Sequence, residues 1–177
     1  MKTVWIVTHG EKNRGPDPIM TLEGLRQVNE LRSLLPSKVE FVVCGTGYRH
    51  QEMLEALGLE NAPTIRWTPA VGGPESLEGD TVVLPNNQGV SRELYYVADE
   101  RAAGILAVLQ AVPDGAVICA GRPAIIALGE GDRRAKSAAV YKITWPEAVV
   151  SFETAPALAS LRIEQVQALG QTETGAV

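Results

Sequence analysis

The residues best suited to chemistry stand near the start of the chain, where His9 is flanked by Thr8 and Gly10 and followed by Glu11. A neutral imidazole is a good nucleophile near pH 7, because its ordinary pKa is about 6.5. Arg49 lies in a second segment, Cys44 to Met53, and Arg122 in a third, directly after Val117-Ile118-Cys119-Ala120-Gly121. Guanidinium groups bind oxyanions through paired, charge-assisted hydrogen bonds, so a local cluster of basic residues can hold a small anion such as phosphate. Lys12 and Arg14, in the loop after His9, are further basic candidates. Solvated surface charge is the plain alternative for Lys12, Arg14 and Arg122, and a strand-end or helix-surface residue is the alternative for His9 and Arg49.

Those residues need elements to hold them. Lys2 to Val7 is a β-branched apolar run and reads as a buried first strand that delivers His9 at its C-terminal end. The Gly/Pro/Asp segment from Asn13 to Pro18 is a loop. Thr21 is a helix N-cap, with Leu25, Val28, Leu31, Leu34 and Leu35 on one face and Pro36 as the stop. Val39 to Cys44 is a second strand, and Gly45-Thr46-Gly47 turns it into a helix from about Tyr48 to Leu57. A short strand is expected at Thr64 to Trp67, a loop over 68–80, a brief strand at Thr81 to Leu84, a loop over 85–90 and a long helix from about Ser91 to Val112. Ala116 to Cys119 is another buried strand, followed by a short helix that ends near Leu128 and a basic loop, Gly129 to Lys136. Ala138 to Trp145 and Ala148 to Thr154 read as a hairpin. The last twenty residues, from about 157, are weakly patterned and are expected to add one short helix before a Gln/Thr/Gly tail.

Strands that alternate with helices indicate an α/β three-layer sandwich: a mostly parallel central sheet flanked by helices, with an antiparallel hairpin at the C-terminal edge. Neither an internal repeat nor a linker is visible, so residues 1–177 read as a single domain. In open sheets of this type ligands bind beyond the C-terminal ends of the strands. His9, Cys44-Gly45-Thr46 and Cys119-Ala120-Gly121 all fall at such ends and would border one crevice.

Composition narrows the function classes. The net charge of −5 argues against a protein that coats nucleic acid. No run is long enough for a membrane span, and no signal sequence is read at the N-terminus. Two cysteines, Cys44 and Cys119, each end an apolar run; two packed thiols without a disulfide framework suit the cytoplasm. Two histidines and no CxxC pair offer no metal site, and no cofactor is implied. Cys44 to Arg49 encloses four residues, which rules out a Cys-x5-Arg phosphatase loop, and no Gly-Lys-Ser/Thr follows Gly47 to make a P-loop.

The ordered segments resemble the histidine phosphatase superfamily, the phosphoglycerate mutase-like proteins. Val4 to Glu11 is similar to its Arg-His-Gly-Glu signature, and Met20 to Val28 to its Leu-Thr-x-x-Gly-x-x-Gln-Ala helix start. Cys44 to Met53 resembles its Ser-Ser-Pro-x-x-Arg-Ala helix, with Arg49 on the catalytic arginine, and Val117 to Arg122 its late strand, which normally ends in a second His-Gly. The resemblance implies a phosphohistidine at His9, a clamp from Arg49 and an acid from the loop after the second helix, where Glu75 or Glu78 would serve. Two departures stand out: Thr8 replaces the motif arginine and Ala120 replaces the second histidine. Thr8 offers one neutral hydrogen bond and Ala120 none.

Three functions fit. One is a degenerate pseudo-enzyme that binds a phosphorylated or anionic small molecule, with Thr8, Gly10, Lys12, Arg14, Arg49 and Arg122 as contacts. Another is an atypical hydrolase, a phosphomonoesterase or phosphotransferase working through His9, Arg49 and Glu75. The third is a partner-binding domain with a vestigial site. The sequence leaves the oligomeric state and the ligand's identity open.

Overall fold

A computed structural model describes residues 1–15, 17–73, 76–78, 81–83, 89–91, 99–128, 137–145 and 161–169. Its centre is β1 (Lys2–Thr8), flanked by β7 (Val117–Ala120) on one side and β8 (Ala139–Trp145) on the other. The sheet has six strands in the order β3-β2-β7-β1-β8-β9, where β2 is Phe41–Cys44, β3 Thr64–Trp67 and β9 Arg162–Ala168. Strands β3, β2, β7 and β1 run parallel, and β8 and β9 are antiparallel to their neighbours. A separate antiparallel sheet joins β4 (Ser76–Glu78), β5 (Thr81–Val83) and β6 (Gly89–Ser91).

Alternation along the central strands splits the core in two. On one face Val4 and Ile6 pack with Val43, Ile118 and Tyr141 against Ile105, Leu106 and Leu109 of α3 (Asp99–Ala111) and Ile125 of α4 (Arg122–Ala127). On the other, Val7, Val42, Cys44 and Cys119 meet Val28 and Leu31 of α1 (Leu22–Leu31) and Met53 and Leu54 of α2 (Tyr48–Ala56). Helices on both faces of a mixed sheet make the expected α/β sandwich. Cys44 and Cys119 are buried, unbridged partners in register on β2 and β7.

Several expected boundaries move. The first helix is α-helical to Leu31 and closes in a 3-10 turn over Arg32–Leu34. The stretches 68–80 and 85–90 are not wholly loop, since they contain β4 and the start of β6. Ser91 ends a strand, the long helix is described over Asp99–Ala111, and residues 92–98 lie outside the described residues. The C-terminal region supplies no helix among the described residues; it supplies β9, which pairs with β8 and takes the sheet edge. Residues 148–154, expected as the second arm of a hairpin, lie outside the described residues.

The segment after His9 is clasped to α1. Gly10 and Gly24 lie backbone to backbone: a Cβ on Gly10 would collide with the Gly24 carbonyl, and one on Gly24 with the Glu11 carbonyl oxygen. Thr21 caps α1 by accepting the Gly24 N–H at 3.0 Å, and its hydroxyl donates to the Glu11 carboxylate at 3.0 Å. The Glu11 N–H donates to Gln27 Oε1 at 3.0 Å, and the Thr21 N–H to the Glu11 carbonyl at 2.9 Å. Five motif residues, Gly10, Glu11, Thr21, Gly24 and Gln27, thus serve as a mechanical joint. Because the contact leaves no room for a methyl group, Gly24→Ala is expected to cost about 1–3 kcal/mol, read as a lowered urea midpoint; an unchanged midpoint would show that the joint yields without penalty.

Candidate functional site

β1, β7 and β2 are neighbours in the sheet, so their C-terminal ends bring His9, Ala120-Gly121 and Gly45-Thr46 to one crevice. Backbone bonds close its walls: Gly45 N–H to the Cys119 carbonyl (3.0 Å), Thr46 N–H to Gly72 (2.9 Å), Gly121 N–H to Val71 (3.0 Å) and Ala138 N–H to His9 (2.7 Å). Among the described residues, Thr8, His9, Arg49 and His50 are the buried polar or charged ones, each no more than 4% exposed.

His9 Nδ1 lies 2.9 Å from the Gly10 carbonyl oxygen. A carbonyl can only accept, so Nδ1 carries the proton and the lone pair of the neutral ring is on Nε2. Burial holds the His9 pKa well below its ordinary value, and the charge of Arg49, the neighbouring His50 and the charge of Arg122 add to the effect. The ring is therefore neutral at pH 7, the form a nucleophile requires.

Arg49 is on the first turn of α2. Its Nη2 donates to the Gly73 carbonyl at 2.8 Å, and its Nη1 lies 3.9 Å from Asp17 Oδ1. The same Asp17 oxygen accepts the Tyr48 N–H at 3.0 Å. Gly47, at the N-cap, has no side chain for that purpose, so α2 is capped by a carboxylate from the loop after β1. His50 follows Arg49. Its ring meets that of His9 edge-on, with centroids 5.8 Å apart at 66°, and burial, then the charge of Arg49, lowers its pKa well below the ordinary value.

His9 and Arg49 border one crevice, and the charge of Arg122, the first residue of α4, also lowers the His9 pKa. Thr8 is adjacent and wholly buried, and its Oγ1 accepts the Ala139 N–H at 3.0 Å, closing the ladder between β1 and β8. The Gly10 N–H faces Met20 Sδ at 3.2 Å. Lys12 is half-buried in a β-bridge with Met20, and Arg14 is exposed on the following loop. Glu75 lies outside the described residues, and of Glu78 only the backbone, in β4, is described. Sequence reasoning missed Asp17, which carried no signal beyond loop composition. His50, standing where the resemblance calls for a small residue, is expected to point elsewhere; its ring instead faces that of His9.

No protein-family profile and no curated protein matches the sequence. Solved structures do resemble it. A candidate alpha-ribazole-5'-P phosphatase from Escherichia coli K-12 is 12% identical over the whole of both chains, with a TM-score of 0.64. The alpha-ribazole phosphatase of Shigella flexneri is 15% identical over 82% of this chain and 91% of its own, with a TM-score of 0.60. A candidate phosphohistidine phosphatase SixA from Nakamurella multipartitia is 18% identical over 96% of each chain, with a TM-score of 0.58. These neighbours are histidine phosphatase superfamily members, and the chain has their fold. Among the described residues no helix is long and apolar enough to cross a membrane.

Two imidazoles held neutral in the folded protein have a consequence for stability. An unfolded histidine takes up a proton below about pH 6.5. Below that pH the unfolded chain binds protons that the folded chain does not, so stability falls as pH falls toward the depressed folded-state pKa. Between pH 7 and 5.5 His50→Gln should lose stability less steeply than the parent, by on the order of 1 kcal/mol per pH unit, measured by urea titration. Parallel pH profiles would show that His50 is not held neutral.

Proposed function

We propose that the chain is a degenerate member of the histidine phosphatase superfamily whose crevice binds a phosphorylated or other anionic small molecule, with little turnover. One observation carries this reading: a buried guanidinium, Arg49, stands in a crevice with a neutral histidine whose Nδ1 proton is committed to Gly10, which leaves Nε2 for the ligand. An oxyanion there would meet charge in a site shielded from water, where each interaction is stronger than in bulk solvent. Arg122 supplies a second positive charge. Asp17 is the counter-charge that Arg49 faces in the absence of ligand, and an incoming anion competes with it.

Low turnover follows from Thr8 and Ala120. A charge-stabilising arginine in phosphoryl transfer is worth about 10³ to 10⁵ in rate. Thr8 has no guanidinium to offer, and its oxygen accepts a ladder N–H. Slow chemistry is a second reading, favoured by the tautomer of His9. Nε2 would attack phosphorus, forming an N–P bond as the ester P–O bond breaks and an acid protonates the leaving oxygen; water would then hydrolyse the phosphohistidine.

Phosphate or vanadate at ten times its Kd should stabilise the protein by about 1.4 kcal/mol, a rise of about 3–5 °C in Tm for a chain of this length, and Arg49→Ala should abolish the rise. A generic phosphomonoester should be hydrolysed at a trace rate at most. Fast turnover that disappears in His9→Ala, with acid-labile phosphate on His9 in the parent, would overturn the low-turnover reading. No anion effect on Tm at millimolar levels would leave the crevice vestigial and favour a partner-binding domain.

A further inference from the structure

His50 is fully buried, and neither of its ring nitrogens has a hydrogen-bond partner among the described residues. A neutral imidazole always carries one donor and one acceptor. Leaving both unmade away from water is costly, and an apolar side chain of similar size would avoid the cost. The fold draws no visible return from the ring. What His50 gives to the architecture comes from its backbone: the N–H donates to the Gly47 carbonyl, and the carbonyl accepts the Cys44 thiol at 3.1 Å.

The space around the ring is kept open by glycines from three different segments. A Cβ on Gly45 would come within 2.6 Å of His50 Cδ2, one on Gly72 would collide with Nε2, and one on Gly121 would touch Cε1 at 3.8 Å. Gly45 follows β2, Gly121 follows β7, and Gly72 belongs to the segment that bonds to both. The ring also faces His9 edge-on and is next in sequence to Arg49. Ala120 and Gly121, the wall on that side, bring no polar side chain of their own.

We propose that His50 is a second ligand-contacting imidazole of this crevice, binding an oxygen of the same tetrahedral oxyanion that His9 and Arg49 hold. The assignment rests on the anion-binding reading above. It gives the crevice two imidazoles from different segments, β1 and α2, and makes the unmade hydrogen bonds of His50 the site's own demand for a ligand.

The test uses the full chain without a histidine tag, so that His9 and His50 are its only histidines. Inorganic phosphate and vanadate are titrated by calorimetry and by thermal shift against the parent, His50→Gln and His50→Leu. His50→Leu should keep or raise the Tm without anion and weaken phosphate binding tenfold or more, and His50→Gln should retain part of the affinity. In parallel, ¹⁵N-histidine NMR of the parent, assigned with His9→Asn, should show the ring nitrogens of both histidines shifting as phosphate saturates; this arm does not depend on a His50 variant folding. Undiminished binding by His50→Leu, or movement of the His9 ring alone, overturns the proposal and leaves the anion-binding reading intact. No response of the parent to either anion overturns both.

Discussion

Glycine against glycine fixes the geometry of the crevice. The backbone after His9 lies directly on Gly24, and Glu11, Thr21 and Gln27 lock it there. The register of β1 between β7 and β8 decides where His9 leaves the sheet; the joint with α1 decides which way the chain then runs. From that point the loop reaches α2, where the Asp17 carboxylate caps the helix and faces Arg49 while Glu52 accepts the Met20 N–H. Loss of the glycine contact would displace the histidine, the loop and the α2 N-terminus together.

The electrostatics of the crevice follow from its burial. Arg49 remains charged because nothing in a protein deprotonates a guanidinium, and the two nearby imidazoles remain neutral because burial and that charge both oppose a second cation. Positive charge held beside unprotonated rings is what the anion-binding proposal draws on.

Much of this was legible in the sequence where local chemistry decides. The Thr21 cap, the glycine turn before α2 and the β-branched strands announce themselves through propensity and pattern. The C-terminal region did not, because Arg162–Ala168 alternates weakly and carries Glu, Gln and Ala; pairing with β8 makes it a strand, and no local signal carries that. Ser91 itself ends β6, where local composition reads on smoothly into helix-forming residues. Arg49 could be found through its motif. His50 could not be assigned a place, because its environment is made by residues 45, 72 and 121, which only the fold brings together.

Thr8 ties the rim of the crevice to the sheet through its side chain. Its oxygen is the acceptor for the buried Ala139 N–H, at the point where β8 leaves the crevice. An arginine has five donors and no acceptor, so restoring one here would strand that N–H at a cost of about 1–3 kcal/mol. An arginine at position 8 would therefore lower stability unless another acceptor reached that N–H. The sheet thus depends, at the rim of the crevice, on a single hydroxyl oxygen.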